Sequence, residues 1–295
     1  MDFRLQVFKK VAEKLSFTKA AKELYITQPA VSKHIEALER NLNIQLFLRK
    51  GNRISLTEAG NILLKYVYKI EKLYNQLDFE LSSTKHNYRG KLRIGASSTI
   101  TQYVLPELMA NFKANFKDMD ISVMNGNTLQ IEIALNNNKI DLGIIEGQSK
   151  NSDFHYQKFL DDEIVLVAAN NHPITKEGEI SLNDLQTHPI ILREEGSGTL
   201  EVISHHLKTQ NMNFSNFIVE MQFGSTEGIK NYILHSKRLA FLSIQSITNE
   251  LKRNELNIID IVDFDIKRSF NFIYPEGNQN PMVDFFIRYA SNYRF

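Results

Sequence analysis

The chain has 295 residues, of which 42% are hydrophobic and 23% charged, a composition typical of a globular protein with room for two or three domains. The absence of cysteine excludes disulfides, thiol catalysis and thiolate metal sites. The formal net charge of +1 is unevenly spread, because residues 1 to 90 hold 16 Lys and Arg against 9 Asp and Glu, and the remainder holds 19 against 25. This basic first third predicts contact with a polyanion, and chance segregation of surface charges is the alternative.

No segment of the sequence predicts export or a membrane span. Lys9, Lys10, Glu13 and Lys14 interrupt the only candidate for a signal segment near the start. No apolar run approaches the roughly 18 residues that a membrane-spanning helix needs. We therefore expect a cytoplasmic protein that does not contact a membrane.

Three helices are predicted at the start of the chain. An apolar stripe indicates the first, formed by Leu5, Phe8, Val11, Ala12 and Leu15. Residues 16 to 42 predict two more, joined by a tight turn at Tyr25 and Ile26. Thr18 and Thr27 are the expected N-caps of these two helices, since a hydroxyl can accept a hydrogen bond from a free N–H of the first turn.

The third predicted helix has one apolar face and one polar face. Pro29 falls in its first turn, where a missing N–H costs nothing. The expected buried face consists of Val31, Ile35, Leu38 and Leu42. The polar face begins with Gln28, Ser32 and Lys33, whose amide, hydroxyl and cation can bind base edges and phosphates of DNA. The alternative is the polar outer face that any helical bundle presents.

A two-stranded hairpin, or wing, is predicted after these helices. Residues 44 to 56 alternate in polarity around a Lys-Gly-Asn turn signal. Arg49, Lys50 and Arg53 make the tip of this hairpin cationic. One interpretation of this cationic tip is a surface hairpin that touches phosphate only.

Residues Leu5 to Gly60 closely resemble the winged helix-turn-helix of the LysR-type transcriptional regulators. The matching segments are Ser16-Phe17-Thr18-x-Ala20-Ala21, Thr27-Gln28-Pro29-Ala30-Val31-Ser32, Leu38-Glu39, Leu46-Phe47 and Leu56-Thr57-Glu58-Ala59-Gly60. The resemblance implies that the partner is double-stranded DNA, at an interrupted inverted repeat in a promoter. The implied DNA-binding residues are Thr18, Thr27, Gln28, Pro29, Ser32, Lys33, Arg49, Lys50 and Arg53.

The resemblance also implies individual roles for two cations. Arg53 would reach the adjacent minor groove, where arginine reads shape more than sequence. Lys33 and His34 stand where the family commonly has Arg-Gln. Because lysine lacks the bidentate fork of arginine, contact of Lys33 with phosphate is a firmer expectation than contact with a base.

A long helix is predicted to begin at Thr57 and Glu58. Its apolar residues recur at steps of four and three, as in a coiled-coil seam, and are Leu63, Val67, Ile70, Tyr74, Leu77 and Leu81. No partner helix follows in the sequence to cover this seam, so we expect a homodimer through residues 57 to 83. The family resemblance implies the same, with a homotetramer as the common assembly. Packing of the seam against the chain's own C-terminal body is the alternative.

Strands alternate with helices after a polar hinge at residues 86 to 90, which predicts parallel sheet in two α/β lobes. The chain is expected to cross between the lobes near residues 162 to 164 and again near 264 to 267, with the last helix returning to the first lobe. This part resembles the effector domain of LysR-type regulators, which is similar to periplasmic binding proteins.

The predicted fold class is therefore α+β and multi-domain. A winged helix-turn-helix DNA-binding domain is expected over residues 1–58, a linker and dimerisation helix with its hinge over 59–89, and a two-lobed, periplasmic-binding-protein-like effector-binding domain over 90–295. Lobe I comprises residues 90–163 and 267–295, and lobe II comprises residues 164–266.

Short hydroxyl residues mark four strand-to-helix junctions of the predicted lobes. Ligands of α/β sheets bind beyond the carboxyl ends of the strands, where helix N-termini favour an anion. We therefore expect a small anionic effector there, although each junction alone could be an ordinary N-cap. Arg193 is a candidate counter-ion, unless Glu194 or Glu195 claims its charge. The candidate effector-binding residues are Ser97, Ser98, Thr99, Thr128, Arg193, Gly196, Ser197, Thr199 and Ser225.

The sequence contains no constellation typical of an enzyme. No histidine pair has the spacing of a helical metal site, and the Gly-Ser-Gly-Thr segment is too short for a dinucleotide fingerprint. We expect no metal, no cofactor and no catalysis. A ligand-controlled transcription regulator is the favoured function. The alternatives are a small-molecule binding or transport protein with an incidental basic domain, and a hydrolase or transferase built on the α/β body.

Overall fold

The computed structural model describes residues 1–50, 53–84, 88–147, 151–277 and 280–295, with the side chains of Arg49, Lys50 and Arg53 outside the description. These residues form two compact units, Met1–Gly90 and Lys91–Phe295. Within the described part of the chain, no helix combines the length and apolar character needed to cross a membrane.

The first unit is a winged helix-turn-helix followed by a long helix. Its elements in chain order are α1 (Phe3–Lys14), α2 (Phe17–Leu24), α3 (Gln28–Leu42), β1 (Phe47–Lys50), β2 (Arg53–Leu56) and α4 (Glu58–Ser83). Apolar residues of all these elements meet in one core, because each helix repeats them at steps of three and four. Phe8, Val31, Ile35 and Val67 are fully buried in it. The predicted helix-turn-helix and hairpin are confirmed.

Hydroxyl side chains cap both helices of the helix-turn-helix. Thr27 accepts a hydrogen bond from the backbone N–H three residues on, which confirms its predicted role and the place of Pro29 in the first turn of α3. The prediction for Thr18 is wrong, because Ser16 caps α2 in an extended conformation. Since α2 already begins at Phe17, Thr18 lies inside its first turn.

Left-handed residues end α2 and α3. Tyr25 has φ of 55° and Asn43 has φ of 51°, and their backbone N–H groups return to carbonyls of the preceding turn. The prediction that Leu42 completes the buried face of α3 is wrong, since Leu42 is 48% exposed. The helix ends there and the chain turns away through Asn43, so the last turn of α3 lies past the core.

Glu39 and Gly60 support the hairpin from both sides. Glu39 Oε1 accepts from Leu46 N at 2.7 Å and from Phe47 N at 3.3 Å, which fixes the approach to β1. A Cβ added at Gly60 would overlap the carbonyl oxygen of Leu46, the atom that accepts from Thr57 N at 3.0 Å. These two positions therefore have a structural reason for their residue type that does not involve DNA.

Helix α4 has two apolar faces. Leu63 and Val67 pack in the core of the first unit, and Lys9 Nζ lies 2.6 Å from a Glu71 carboxylate oxygen, which ties α4 to α1. The predicted seam is therefore wrong at Leu63 and Val67, because these two residues belong to the core of their own unit. A second face is exposed and is here called the α4 stripe, comprising Ile62, Tyr66, Leu73, Tyr74, Leu77 and Leu81.

The second unit alternates strands and helices. Its strands are β3 (Gly90–Ser97), β4 (Met119–Gly126), β5 (Leu142–Ile145), β6 (Phe154–Ala169), β7 (Glu179–Ile180), β8 (Ile190–Arg193), β9 (Val219–Phe223), β10 (Leu239–Ser243), β11 (Leu256–Ile261) and β12 (Ile266–Pro275). Its α-helices are α5 (Leu105–Asn115), α6 (Thr128–Asn136), α7 (Leu182–Leu185), α8 (Gly198–Thr209), α9 (Thr226–Leu234), α10 (Ile244–Lys252) and α11 (Pro281–Ser291). A π-helix, Ile100–Val104, precedes α5.

One sheet path joins two lobes in the order β4-β3-β5-β12-β6-β10-β8-β9. The first lobe comprises β3, β4, β5, α5, α6 and α11, and the second comprises β8, β9, β10, α8, α9 and α10. Parallel pairing is found between β3 and β5, β8 and β9, and β8 and β10. The expectation of a parallel sheet is wrong for β6 and β12, which are antiparallel to each other. Strand β6 is also antiparallel to β10 and β11, and β12 to β5. These two strands carry the chain between the lobes in opposite directions.

Strand β6 is buried on both faces where it enters the second lobe. Leu166 and Ala168 belong to one core cluster and Val167 to the cluster on the opposite face. Burial on both faces explains the uninterrupted apolar run of this segment. Helix α10 was not predicted. Ser243 caps it, so β10 ends one residue earlier than the apolar run suggests.

Helix α11 packs against α5 of the first lobe. Phe286 and Tyr289 place their ring centroids 5.3 and 5.0 Å from that of Phe112. The prediction that the last helix returns to the first lobe is confirmed. The lobes are thus linked by two chain crossings rather than one.

Candidate functional site

The exposed face of α3 carries the predicted DNA-reading groups. Gln28 is its first residue, and Gln28 Nε2 donates to Ser32 Oγ at 3.0 Å, four residues on. Lys33 and Pro29 are exposed, and Ser32 is half-buried. Tyr25, in the turn before this helix, is 95% exposed. The face therefore presents an amide and a hydroxyl in one fixed orientation, with a cation beside them.

The other predicted DNA-binding residues flank this face in sequence. Thr18 is exposed in the first turn of α2. Lys50 and Arg53 face each other across the β1–β2 ladder, one pair beyond Arg49. The side chains of these three cations lie outside the described residues, so the geometry supports their backbone position alone.

A chain of hydrogen bonds connects the predicted effector residues of the two lobes. Glu146, directly after β5, accepts from Ser97 Oγ of the first lobe and from Thr199 Oγ1 of the second, the latter at 3.4 Å. Thr128 Oγ1 donates to the Glu146 carbonyl oxygen at 2.7 Å. Three of the four predicted junctions therefore meet at one residue that the sequence did not single out.

A buried arginine on β12 completes this cluster. Arg268 Nε donates to Asp162 Oδ2 at 2.7 Å, and Nη1 donates to Thr199 Oγ1 at 2.9 Å. The same Nη1 lies 3.7 Å from Glu146 Oε1. Asp162 also accepts from Ser243 Oγ at 2.7 Å. One cation thus contacts side chains from both lobes at the strand pair that joins them.

Two buried polar atoms of this region have no hydrogen-bond partner among the described residues. They are Arg268 Nη2 and Ser197 Oγ. An unpaired buried donor is costly, so such atoms in a cleft mark a place where a ligand or water supplies the missing bond.

Helices α6 and α8 meet closely at their N-termini. Leu129 N donates to the Gly196 carbonyl oxygen at 3.3 Å. Gly196 has φ of 83°, a left-handed conformation that favours glycine. A Cβ at Gly198 would overlap the carbonyl oxygen of Glu146. These two glycines therefore let the two lobes approach each other.

Arg193 is buried and its guanidinium is already engaged. Nε and Nη2 donate to the two carboxylate oxygens of Glu194 at 2.8 and 3.1 Å, and Nη1 donates to Thr226 Oγ1 at 3.1 Å. Burial raises the pKa of Glu194, but the hydrogen bond and charge of Arg193 outweigh burial and hold that pKa below its ordinary value. Of the two alternatives for Arg193, the geometry favours pairing with Glu194.

Two of the remaining predicted effector residues, Ser98 and Ser225, hydrogen-bond to backbone groups of their own lobe. Ser98 Oγ donates to the Gly126 carbonyl oxygen at 3.4 Å, and Thr99 is buried beside it. Ser225 caps α9 by accepting from Gly228 N at 3.3 Å. Ser225 therefore acts as an N-cap, the ordinary role considered for every junction.

A second contact bridges the lobes on the α9 side. Tyr103, in the π-helix of the first lobe, donates to Glu227 of α9, and Lys230 Nζ lies 4.9 Å from the centre of the Tyr103 ring. Burial and the bond to Glu227 raise the pKa of Tyr103. Burial raises the pKa of Glu227, but hydrogen bonds from Lys230 and Tyr103 outweigh it and lower that pKa. The Glu227 carboxylate is therefore a charged acceptor, and the Tyr103 hydroxyl is a neutral donor.

An outer groove of about 770 Å³ lies between α6 and α8. Three of the predicted effector residues, Thr128, Gly196 and Ser197, line it together with Glu132 and Glu201. Burial raises the pKa of Glu132, and the negative charge of Glu201 raises it further. Among the described residues, no group of three or more acidic or histidine side chains is arranged to hold a metal ion.

Glu146, Asp162, Arg268 and Tyr103 escaped the sequence analysis. Arg268 had a detectable signal, because it alternates with Ile266 and Phe270 on the buried face of β12, where a charge is unexpected. Glu146 had a weaker signal, because it is an acidic residue directly after a buried strand. Nothing in the sequence indicated that these two residues meet.

Two family models match the chain. One, described as a bacterial regulatory helix-turn-helix protein of the lysR family, matches residues 3–61. The other, the LysR substrate binding domain, matches residues 85–293. The matched ranges correspond to the helix-turn-helix and to the two-lobed unit described above.

Curated relatives match along almost their whole length. The chain is 32% identical over 293 residues to the HTH-type transcriptional regulator CysL of Bacillus subtilis, covering 98% of this chain and 97% of CysL. It is 32% identical over 280 residues to the HTH-type transcriptional activator CmpR of Synechocystis sp., covering 95% of this chain and 91% of CmpR. Both relatives are named as regulators of transcription.

Solved structures share the fold. The regulatory domain of Synechocystis CcmR, in complex with 2-PG, is 28% identical with a TM-score of 0.61, and the match covers 68% of this chain and 98% of that domain. Full-length CbnR in complex with its target DNA is 18% identical with a TM-score of 0.71, covering 98% and 99% of the two chains, a likeness of fold alone.

Proposed function

This chain belongs to the family of LysR-type transcriptional regulators, and we propose that its first unit binds a promoter while the cleft of its second unit binds a small anion that controls this activity. It is a DNA-binding transcriptional regulator with an effector-binding domain, and its relatives are regulators rather than enzymes. We propose that it acts in the cytoplasm, which its DNA-binding role and the absence of a membrane-spanning helix among the described residues support. We assign DNA binding to residues 1–58, the linker to 59–89 and effector binding to 90–295.

The exposed face of α3 supports the DNA-binding proposal. Gln28 and Ser32 are held by their mutual hydrogen bond, which orients the Gln28 amide before DNA arrives. We propose that Gln28 reads a base in the major groove, that Lys33 binds phosphate, and that Arg53 reaches the minor groove. Thr18, Thr27, Pro29, Arg49 and Lys50 would contact the backbone of the same site.

The α4 stripe supports a homodimer. Six large apolar side chains, each about half or more exposed, line one face of a 26-residue helix. We propose that a second copy of α4 covers this face, because removal of apolar surface from water drives such association. Two-fold symmetry would then present two α3 helices to the halves of an interrupted inverted repeat, and two dimers would form a tetramer.

The observation that carries the effector proposal is the pair of unpartnered buried atoms, Arg268 Nη2 and Ser197 Oγ, beside the converging helix N-termini. These donors suit an anion with several acceptor oxygens. The bound 2-PG of CcmR, a phosphate-bearing carboxylate, is consistent with this class of ligand. We propose that Ser97, Ser98, Thr99, Thr128, Gly196, Ser197, Thr199 and Arg268 surround the ligand, with Arg193 and Ser225 supporting the cleft from behind.

The test is a gel shift with DNA from directly upstream of the chain's own coding region, at several salt concentrations. Specific binding should survive competitor DNA and fall steeply with salt. Gln28→Ala should relax the choice at one base pair by about 1–3 kcal/mol, whereas Lys33→Ala should weaken binding to all sequences alike. Lys139→Ala, an exposed lysine of the second unit, is the matched charge control.

The same assay tests the effector. Addition of organic and inorganic anions, 2-PG among them, should change the affinity or the pattern of the shift, and Ser97→Ala and Thr199→Ala should reduce that response without reducing DNA binding. A response to neutral metabolites alone would contradict the anionic class. DNA binding that competitor removes completely would contradict the regulator assignment for the tested promoter.

A further inference from the structure

We propose that the carboxylate of Glu146 is an internal anion that competes with the effector for the donors of the cleft. This inference rests on the proposed function and adds a mode of regulation to the same site. The Glu146 carboxylate occupies a position that a ligand carboxylate or phosphate would be expected to occupy. It accepts from Ser97 and Thr199, two of the proposed effector residues, and lies beside Arg268.

The charges around Arg268 set up the competition. Two carboxylates, Glu146 and Asp162, face this single buried guanidinium. The cluster therefore carries more negative than positive charge before any ligand arrives. A second anion cannot approach the same donors without repulsion from Glu146, because like charges in a buried site disfavour one another. Binding of an anionic effector then requires that Glu146 move away.

The distances indicate which carboxylate is displaced. Asp162 holds Arg268 at 2.7 Å and also accepts from Ser243, so it is anchored twice. Glu146 makes weaker contacts with the second lobe, at 3.4 Å to Thr199 and 3.7 Å to Arg268. It also accepts from Ser97 within its own lobe. Glu146 can therefore leave the second lobe while Asp162 stays in place.

Displacement would change the relation between the lobes. Glu146 belongs to the first lobe, and Thr199 begins α8 of the second, so their contact is one of the ties across the cleft. An effector that replaces Glu146 substitutes its own oxygens for the contact between Glu146 and Thr199. It thereby prefers one arrangement of the lobes over another, which is the requirement for ligand control.

The experiment measures binding of inorganic phosphate to the full chain by calorimetry at constant ionic strength. Glu146→Gln removes the competing charge and keeps the shape, and should bind phosphate at least about tenfold more tightly than the unchanged protein, because the fraction of molecules with a free site rises. Glu132→Gln, a half-buried glutamate of the outer groove, is the control and should bind phosphate as the unchanged protein does.

A second variant keeps the inference testable where Glu146→Gln fails to fold. Glu146→Asp retains the charge but withdraws the carboxylate by one methylene group, and a gain of a few-fold in phosphate affinity is expected from it. A folded Glu146→Gln or Glu146→Asp protein whose phosphate affinity is equal to or lower than that of the unchanged protein overturns the internal-anion proposal.

The two proposals fail in different ways. If anions still alter DNA binding through Ser97 and Thr199 while the Glu146 variants show no gain, the internal anion is wrong and the effector cleft stands. If no anion alters DNA binding and neither the unchanged protein nor the Glu146 variants bind phosphate, both the internal anion and the anionic class of effector are wrong.

Discussion

Gly60 is a residue at which one added carbon would meet the backbone. Its missing Cβ leaves room for the Leu46 carbonyl oxygen and for the Leu56 side chain. Gly60→Ala should therefore weaken the first unit by about 1–3 kcal/mol, the usual cost of forcing extra volume into packed structure. This loss of stability can be measured by mass spectrometry of backbone hydrogen exchange in α3 and in the first turns of α4. Gly224→Ala is the control, since nothing lies within 4 Å of its added Cβ, and it should leave that exchange unchanged.

His172 predicts a pH dependence of stability. Its Nδ1 accepts from Ile174 N at 3.2 Å, and burial followed by the nearby charge of His188 lowers its pKa. The folded state thus favours neutral His172, so its contribution is complete above pH about 6.5, the unfolded pKa, and is lost as the pH falls from there toward the lower folded pKa.

The variant His172→Asn isolates this contribution. An asparagine oxygen can accept the same bond from Ile174 N but does not titrate. Urea unfolding at pH 7.5, 6.5 and 5.5 should show a steeper loss of stability on acidification for the unchanged protein than for the variant. Parallel losses in the two proteins would mean that His172 is not the group responsible.

The sequence predicted the roles of residues that act within their own helix turn. It did not predict the roles of residues that meet only in the folded chain. Thr27 and Pro29 act on their own helix turn, so their roles follow from short spacing alone. Ser16 and Thr18 are both hydroxyl residues near a helix start, and the choice between them depends on where the backbone becomes helical. Glu146 and Arg268 are far apart in the chain and meet only through the sheet, which no local pattern records.

The exposed face of helix α4 leads to a prediction about how copies of the chain assemble. Leu73→Glu with Leu77→Glu places two charges in the α4 stripe and should convert the proposed dimer into monomer, because burying an unpaired carboxylate is strongly unfavourable. Analytical ultracentrifugation measures the change. Val262→Glu places a carboxylate on an exposed apolar residue of the second unit and should leave the assembly intact. A double variant that still sediments as the unchanged protein would contradict an interface along this helix.

Periodicity predicted elements better than it predicted their neighbours. The three- and four-residue steps of α4 correctly indicated an amphipathic helix, but not that Leu63 and Val67 would belong to the core of the first unit. The second unit shows the same limit. The alternation of strands and helices predicted a parallel sheet, whereas the antiparallel pairing of β6 with β12 follows from the direction of the chain between the lobes. Sequence pattern reports which face is apolar, and tertiary topology decides what covers it.

At the scale of the molecule, side-chain contacts between the two lobes would determine how the cleft responds to a ligand. On one side Glu146 contacts Thr199 and Arg268, and on the other Tyr103 contacts Glu227. These ties join side chains of the first lobe to elements of the second, while β6 and β12 supply the continuous backbone between them. A ligand that breaks one tie and leaves the other would turn the lobes about the remaining contact rather than simply separate them.

Tyr103→Phe tests the second tie. The substitution keeps the ring under Lys230 and removes only the hydroxyl that donates to Glu227, so the contact should weaken by about 0.5–1.5 kcal/mol, the net value of one hydrogen bond. Hydrogen exchange should become faster in the π-helix and in the first turn of α9. Tyr232→Phe is the matched control, because Tyr232 donates to Glu220 at 2.6 Å within the second lobe and its loss should not affect exchange in the π-helix. Equal changes in the two variants would mean that Tyr103 stabilises the second unit generally and does not act between its lobes.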